Sequence, residues 1–207
     1  MTDPWKDAVI LEGKFVRLEP LSLNHVDDLS DAGNDQDIWT YMLYGEPLTH
    51  NGMTNWVKDL LKRSENGSEM PFAVVLKDSG TSIGASRYLD MKPEYKNLEI
   101  GGTWYTTQYQ RTVVNTETKY LMLTHAFEVL GCIRVQFKTD LRNVRSQQAI
   151  ERLGAVKEGV LRNHMITPEG LVRDSVYYSI LDREWVAVKS NLLNKLNADR
   201  EPFRSLK

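Results

Sequence analysis

The run Gln108-Tyr109-Gln110-Arg111-Thr112-Val113-Val114-Asn115-Thr116-Glu117 precedes an apolar helical stretch, so its backbone amides stand where a helix opens. The first amides of a helix lack intrahelical partners, and its dipole is positive at that end, so the place favours an anion. A second helix opens at Asn143, in Asn143-Val144-Arg145-Ser146, because asparagine is a good N-cap. It closes at Glu151-Arg152-Leu153-Gly154, and one strand lies between the two helices. Two helix starts flanking one strand can make a cleft for a phosphate-bearing ligand. The competing reading of the first run is a plain loop-to-helix junction, with Asn115 as cap and nothing bound. Arg111 either brings positive charge to an anion or is a solvated arginine.

Proton chemistry has fewer candidates. Glu99 lies in Leu98-Glu99-Ile100-Gly101-Gly102-Thr103-Trp104, where period-two alternation sets it on the face opposite Leu98 and Ile100. It is either an exposed strand glutamate or a general base, acting directly or through a water. The paired glycines inside a strand suggest a bulge or a splay. His164 is an alternative base, since its unperturbed pKa is near neutrality. No nucleophile is evident. Cys132 stands in apolar company, in Leu130-Gly131-Cys132-Ile133-Arg134-Val135, and reads as a buried thiol. No Gly-x-Ser-x-Gly elbow occurs. Four scattered histidines and a single cysteine give no metal spacing, so no metal is expected.

The elements that must position these residues read as follows. Phe15 to Leu21 alternates and is a first strand; Ser22 to Asp35 is an Asp-rich helix; Ile38 to Tyr44 is an aromatic stretch that suits a short helix. His50 to Arg63 carries Met53, Trp56, Val57, Leu60 and Leu61 at helical spacing. Phe72 to Leu76, Thr81 to Asp90 and Asn97 to Tyr105 are strands, the first two joined by a turn at Lys77 to Gly80. A helix over 116–130 has Tyr120, Leu123, Phe127 and Leu130 on one face, flanked by Met122, Ala126 and Val129. Ile133, Val135 and Phe137 alternate with polar residues as a strand; a short helix follows from Val144 to Leu153, with Gly154 at its C-terminal cap. Strands at 156–166 and 172–181 flank the turn Thr167-Pro168-Glu169-Gly170. Asp182 to Asn197 is a polar helix, and Ala198 to Lys207 a frayed tail. Hairpin-linked strands, then strand, helix, strand, helix and a last hairpin, imply a mixed sheet with helices on both faces: an α+β, or mixed α/β three-layer, fold.

Composition bounds the class. A chain of 207 residues, 41% hydrophobic, suits one domain over 1–207, with a core at about 11–182 and a C-terminal helix and tail at 183–207. A net charge of -2 gives no basic excess for a nucleic-acid binder. No apolar run approaches the ~18 residues of a membrane span, and Met1 to Asp7 lacks the apolar core of a signal peptide. A cytoplasmic protein is the expectation, with no membrane partner.

The segment from Glu99 to Gly154, and more broadly residues 11–182, resembles the GNAT superfamily of acyl-CoA-dependent N-acetyltransferases, in particular its ribosomal-protein N-acetyltransferase-like branch. The superfamily's pyrophosphate loop, Gln/Arg-x-x-Gly-x-Gly/Ala, is matched at Gln110, while Val113 and Asn115 replace its glycines. The branch often carries Arg-Thr-x-x-Asn-Thr-Glu there, as this chain does from Arg111 to Glu117. The resemblance implies a splayed central sheet and acetyl-CoA as co-substrate. It places pyrophosphate on Gln110, Arg111, Thr112, Val113, Val114, Asn115 and Thr116, and pantetheine along the backbone of Trp104, Tyr105 and Thr106 and at Asn143. It implies direct attack by the amine with no acyl-enzyme, for which Glu99 is the first candidate base. Ile150 occupies the position where many members have a tyrosine acid; in the branch without it, the serine at Ser146 is the proton donor, or else a first-turn serine bonding backbone. Trp39, Tyr41 and Tyr44 correspond to one wall of the acceptor site, with Arg87, Tyr88 and His164 as further acceptor-side candidates.

The reading is an N-acetyltransferase that moves acetyl from acetyl-CoA to a primary amine, a protein N-terminus or a small molecule, working as monomer or homodimer. The alternatives are a non-catalytic acyl-CoA-binding or sensing module, which the missing glycines and tyrosine favour, and a structural domain that keeps only the fold.

Overall fold

The structure is a computed structural model and describes residues 3–43 and 47–198. Eight strands form one sheet: β1 (Leu11–Glu12), β2 (Val16–Pro20), β3 (Met70–Leu76), β4 (Ser82–Lys92), β5 (Asn97–Tyr105), β6 (Arg134–Asp140), β7 (Val156–Ile166) and β8 (Val172–Leu181). They lie side by side as β1-β2-β3-β4-β5-β6-β8-β7. Neighbours are antiparallel except β5 and β6, which run parallel. The helices are α1 (Val26–Ala32), α2 (His50–Ser64), α3 (Val113–Thr124), α4 (Val144–Leu153) and α5 (Asp182–Ala198).

Alternation along the strands sorts side chains onto two faces, and each face has its own core. Val16, Leu18, Phe72, Val74, Leu98, Ile100, Val135, Phe137, Val176, Tyr178 and Ile180 pack with Met122, Leu123, Ala126, Ile150, Leu153, Val188 and Leu192 from the helical layer of α3, α4 and α5. Ala73, Val75, Ala85 and Trp104 pack with Leu29, Met53, Trp56, Val57 and Leu60 of α1 and α2. The result is the mixed sheet between two helical layers that the element order implies.

Two irregularities shape its middle. The β5–β6 ladder pairs only Asn97 with Arg134, Leu98 with Val135 and Glu99 with Gln136; beyond these the strands part. In the β4–β5 ladder Ala85 faces Trp104 and Arg87 faces Gly101, so Ser86 alone opposes both Gly102 and Thr103. This is a β-bulge, and Gly102 adopts φ +55°, a left-handed conformation that suits glycine. The extra residue inverts the alternation. Trp104 therefore shares the α1–α2 face with Glu99, while Tyr105 joins the α3 face.

Several expected elements end elsewhere. The helix expected over 116–130 starts at Val113 and is α-helical to Thr124, then continues as one wider π turn over His125–Val129. Val129 is exposed rather than on the apolar face. The Ser22–Asp35 helix is a 3-10 turn, Leu23–His25, leading into α1, which stops before Gly33. The short helix expected at 38–44 is absent from its described part, where a 3-10 turn at Gln36–Ile38 is followed by irregular turns through Leu43. Ile133 precedes β6 and is exposed, and β6 runs on to Asp140. The two-residue edge strand β1 has no counterpart in the sequence reading. The tail beyond Ala198 lies outside the described residues. Among the described residues no helix is long and apolar enough to cross a membrane.

Candidate active site

The first helix start is built by Thr112, not by Asn115. Thr112 has extended backbone, and its hydroxyl accepts from the amide of Val114 at 3.3 Å. A helix that opens at Val113 leaves the amides of Thr112, Val113, Val114 and Asn115 without intrahelical acceptors. Thr116, expected among the phosphate-binding amides, is already within the helical ladder. Val113 and Val114 are buried, so their side chains fill the core and do not obstruct the cradle. Arg111, exposed, takes φ +62° and turns the chain just before the cap. Asn115 is a helix residue whose side-chain oxygen accepts from the Tyr105 hydroxyl at 3.2 Å. Thr106 leaves β5 with its amide bonded to the carbonyl of Ile83 at 2.9 Å.

The second start is α4. The Asn143 side chain caps it by accepting from the amide of Ser146 at 3.0 Å. Ser146 is half-buried and lies one turn before Ile150 on the stripe that Leu153 continues toward the sheet. Gly154, at φ +102°, closes the helix in a left-handed conformation. Arg145 donates to the side-chain oxygen of Gln110 at 2.8 Å, and Gln110 in turn donates to the carbonyl of Tyr105 at 3.1 Å. The two helix starts and the end of β5 are thus joined in one hydrogen-bonded cluster. Open amides at the start of α3, two nearby guanidinium groups and a β5 backbone without a β6 partner past Glu99 suit a long ligand with an anionic end, whereas at the start of α4 the amides of Asn143, Val144 and Ser146 are already bonded to Asp140, Arg142 and the Asn143 side chain.

Glu99 is buried at 4% exposure, not an exposed strand glutamate. It lines a cavity of about 350 Å³ with Glu69, Asp90, Gln136, Lys138 and Tyr177. Its Oε2 accepts from Gln136 Nε2 at 2.9 Å and lies 3.4 Å from Lys138 Nζ. Lys138 also sits 5.9 Å from the centre of the Tyr177 ring. His164 joins this group through Tyr177: its Nε2 is 3.3 Å from the Tyr177 hydroxyl and its Nδ1 is 3.0 Å from Ser175 Oγ. Partial burial, then the charges of Lys138 and Arg173, hold the His164 pKa below its ordinary value. Burial and the Glu99 charge raise that of Tyr177. Glu99 and Ser146 do not share this cavity: Glu99 is on the α1–α2 face, whereas α4 packs on the other, so the β5–β6 gap lies between them.

The acceptor-side candidates divide. Trp39 is core, 4.9 Å from Trp104 and 6.2 Å from Trp56 between ring centres, with its indole N–H on the Gly33 carbonyl. Tyr88 is fully buried, its hydroxyl donating to the Met122 carbonyl at 2.7 Å. Arg87 is buried 3.4 Å from Glu69. Tyr41 is exposed, and its carbonyl accepts from Arg173 at 3.4 Å, which ties the loop after α1 to β8. Tyr44 lies outside the described residues. Gln136, Lys138 and Tyr177 escape the sequence reading, because an outward polar position on a strand looks the same whether or not it lines a cavity. Among the described residues no group of three or more His, Cys, Asp or Glu could hold a metal ion.

A family model described as an acetyltransferase (GNAT) domain matches residues 16–156. YdaF of Bacillus subtilis, provisionally named a ribosomal N-acetyltransferase, is 33% identical over 94 residues, which cover 45% of this chain and 50% of YdaF. The chain thus matches about half the length of that relative. A solved structure of a GCN5-related N-acetyltransferase from Brucella melitensis is 31% identical, with a TM-score of 0.85 over 92% of this chain and 86% of that one. A solved structure from T. thermophilus, provisionally named an acetyltransferase, is 38% identical, with a TM-score of 0.82 over 90% of this chain and 96% of that one.

Proposed function

The chain belongs to the GNAT acetyltransferase family, and on that premise we propose that it transfers acetyl from acetyl-CoA to a primary amine by direct attack. The observation that carries this is the β5–β6 gap, with the Gln110–Arg145 cluster on one side and the Glu99 cavity on the other. In this reading the amides at the start of α3, with Arg111 and Arg145, hold the pyrophosphate. The β5 backbone at Trp104 and Tyr105, together with Asn143, holds the pantetheine arm; the Thr106 amide and carbonyl, expected to share in this, are instead bonded to Ile83 and Tyr109. Acetyl-CoA supplies an activated acyl carbon and a thiolate leaving group.

An amine is cationic at neutral pH and must lose a proton before its nitrogen can form the new bond. Glu99 accepts that proton, directly or through a water, while Gln136 and Lys138 hold its carboxylate in place. Ser146, one turn into α4, gives a proton to the departing sulfur and regains it from water. His164 is the second candidate base, because its lowered pKa leaves the ring neutral at pH 7. The likeness to YdaF supports a protein N-terminus as acceptor, with a small amine as the other class. One domain, working in the cytoplasm as monomer or homodimer, completes the proposal.

Calorimetric titration with acetyl-CoA is the first test, followed by thiol release with a panel of peptides bearing free N-termini and of small amines. Turnover with any of them supports transfer. Binding with no turnover across the panel favours an acyl-CoA sensor, and absence of binding sinks both.

A further inference from the structure

Lys119 is a charged residue in a place where packing asks for none. It lies on the second turn of α3, facing the sheet, with 5% of its surface exposed. Its ammonium donates to Ser86 Oγ at 3.1 Å and to Thr103 Oγ1, and these two hydroxyls are 2.7 Å from each other. Ser86 and Thr103 are the residues on either side of the β5 bulge: Ser86 is the one that opposes two, and Thr103 follows the left-handed Gly102. One side chain from the helix thus grips both strands at the point where the alternation inverts.

This arrangement is costly. An ammonium taken out of water without a carboxylate partner is strongly disfavoured. Among the described residues Lys119 has no such partner, and burial alone lowers its pKa to about 7. Glu117, two residues earlier, is occupied by the amides of Lys14, Phe15 and Val16. A methionine would fill the same space, and Ser86 and Thr103 would still satisfy each other. Core stability does not account for the lysine, whereas the bulge beside it does.

We propose that Lys119 is a positioning residue that clamps the Gly102–Thr103 bulge to Ser86, and thereby sets how the β5 backbone from Thr103 to Tyr105 faces the gap beside β6. The proposal rests on the reading that this backbone holds the pantetheine arm. The Lys119 nitrogen carries three donors when protonated and two when neutral, enough in either form to hold two hydroxyls at once. The amides beyond the bulge are then pre-aimed, which is how a rigid wall helps place a reacting group.

The test compares Lys119→Met, Thr103→Val and the double variant by hydrogen exchange without ligand and by acetyl transfer to the best amine of the panel. Each single variant is expected to speed amide exchange over 102–106 by about tenfold, with no further gain in the double. Exchange in β3 should stay unchanged. The melting temperature of Lys119→Met at pH 7 should be equal to or above that of the wild type, while kcat falls by about tenfold and KM for the amine stays within about twofold. Wild-type exchange over 102–106 in Lys119→Met overturns the clamp whatever the activity. Activity that falls only in step with melting temperature assigns Lys119 to the core alone. If the wild type acetylates no amine, the functional reading fails, and the exchange measurement still decides the clamp.

Discussion

Arg145 reaches across 35 residues of sequence to donate to the side-chain oxygen of Gln110 at 2.8 Å. The bond joins the first turn of α4 to the segment that opens α3, so one ligand end can meet both helix starts. Arg145→Ala and Gln110→Ala should each weaken acetyl-CoA binding several-fold. In a double-mutant cycle read by calorimetry their coupling should be about 0.5–1 kcal/mol, the worth of an exposed, charge-assisted hydrogen bond. Strict additivity would mean that the bond is not used by the ligand.

Glu99→Gln should cut turnover by on the order of 10²-fold and leave acetyl-CoA affinity nearly unchanged. The deficit should shrink as pH rises, because free amine becomes abundant without a base. Ser146→Ala should cost less, since water can replace a weak hydroxyl acid. Both are measured as pH–rate profiles with one acceptor. A Glu99→Gln profile identical to that of the wild type removes the base assignment, and His164→Gln is then the variant to measure.

Burial pushes the Cys132 thiol up to about 12, so it is protonated at neutral pH. It should therefore act neither as a nucleophile nor as a ready target for alkylation. Cys132→Ala should keep most turnover, and iodoacetamide should react slowly with the native protein. Lost turnover in a folded variant that still binds acetyl-CoA would contradict direct transfer.

The Glu117 carboxylate accepts from the amides of Lys14, Phe15 and Val16 at 2.6, 2.7 and 2.7 Å. Gly13 is close by; a Cβ there would stand 2.6 Å from the carboxyl carbon. Glu117→Ala leaves three amides to find other partners and should destabilise the fold by on the order of 2–4 kcal/mol, measured by urea unfolding. A loss below about 0.5 kcal/mol would show that the turn before β2 re-satisfies itself.

Lys119 has a pKa of about 7 in the fold, against an ordinary value of 10.5. Between these values the unfolded chain binds the extra proton, so stability should rise with pH, by no more than about 3 kcal/mol from about pH 7 to about pH 9.5. The buried Tyr88 and Tyr105 hydroxyls, whose pKa values are raised, oppose this only above about pH 10. Lys119→Met should flatten the slope in denaturant titrations; a slope that persists belongs to another group.

Much of the fold is legible because each half-buried strand alternates and each helix carries a stripe. Gly101-Gly102 announces an irregular strand, since glycine in a ladder needs a reason, and both a bulge and a gap are found there. Thr112 is hidden as a cap because two β-branched valines follow it and resemble a strand end; their burial overrides that preference. Gln136, Lys138 and Tyr177 converge on Glu99 only through the registers of β5 with β6 and β6 with β8, which no local pattern encodes. Lys119 does leave a signal, a lone charge one turn before Leu123 on an otherwise apolar stripe.

The short seam between β5 and β6 bears on how the chain folds. Every other strand pairing joins partners within residues 11–105 or within 134–181. Each half can therefore complete its hairpins from nearby sequence, whereas the three parallel pairs must wait for the whole of α3 to be laid across the sheet. Loop closure makes such non-local pairing the slow event. Two cooperative units should form early, and the union of the two should limit the folding rate.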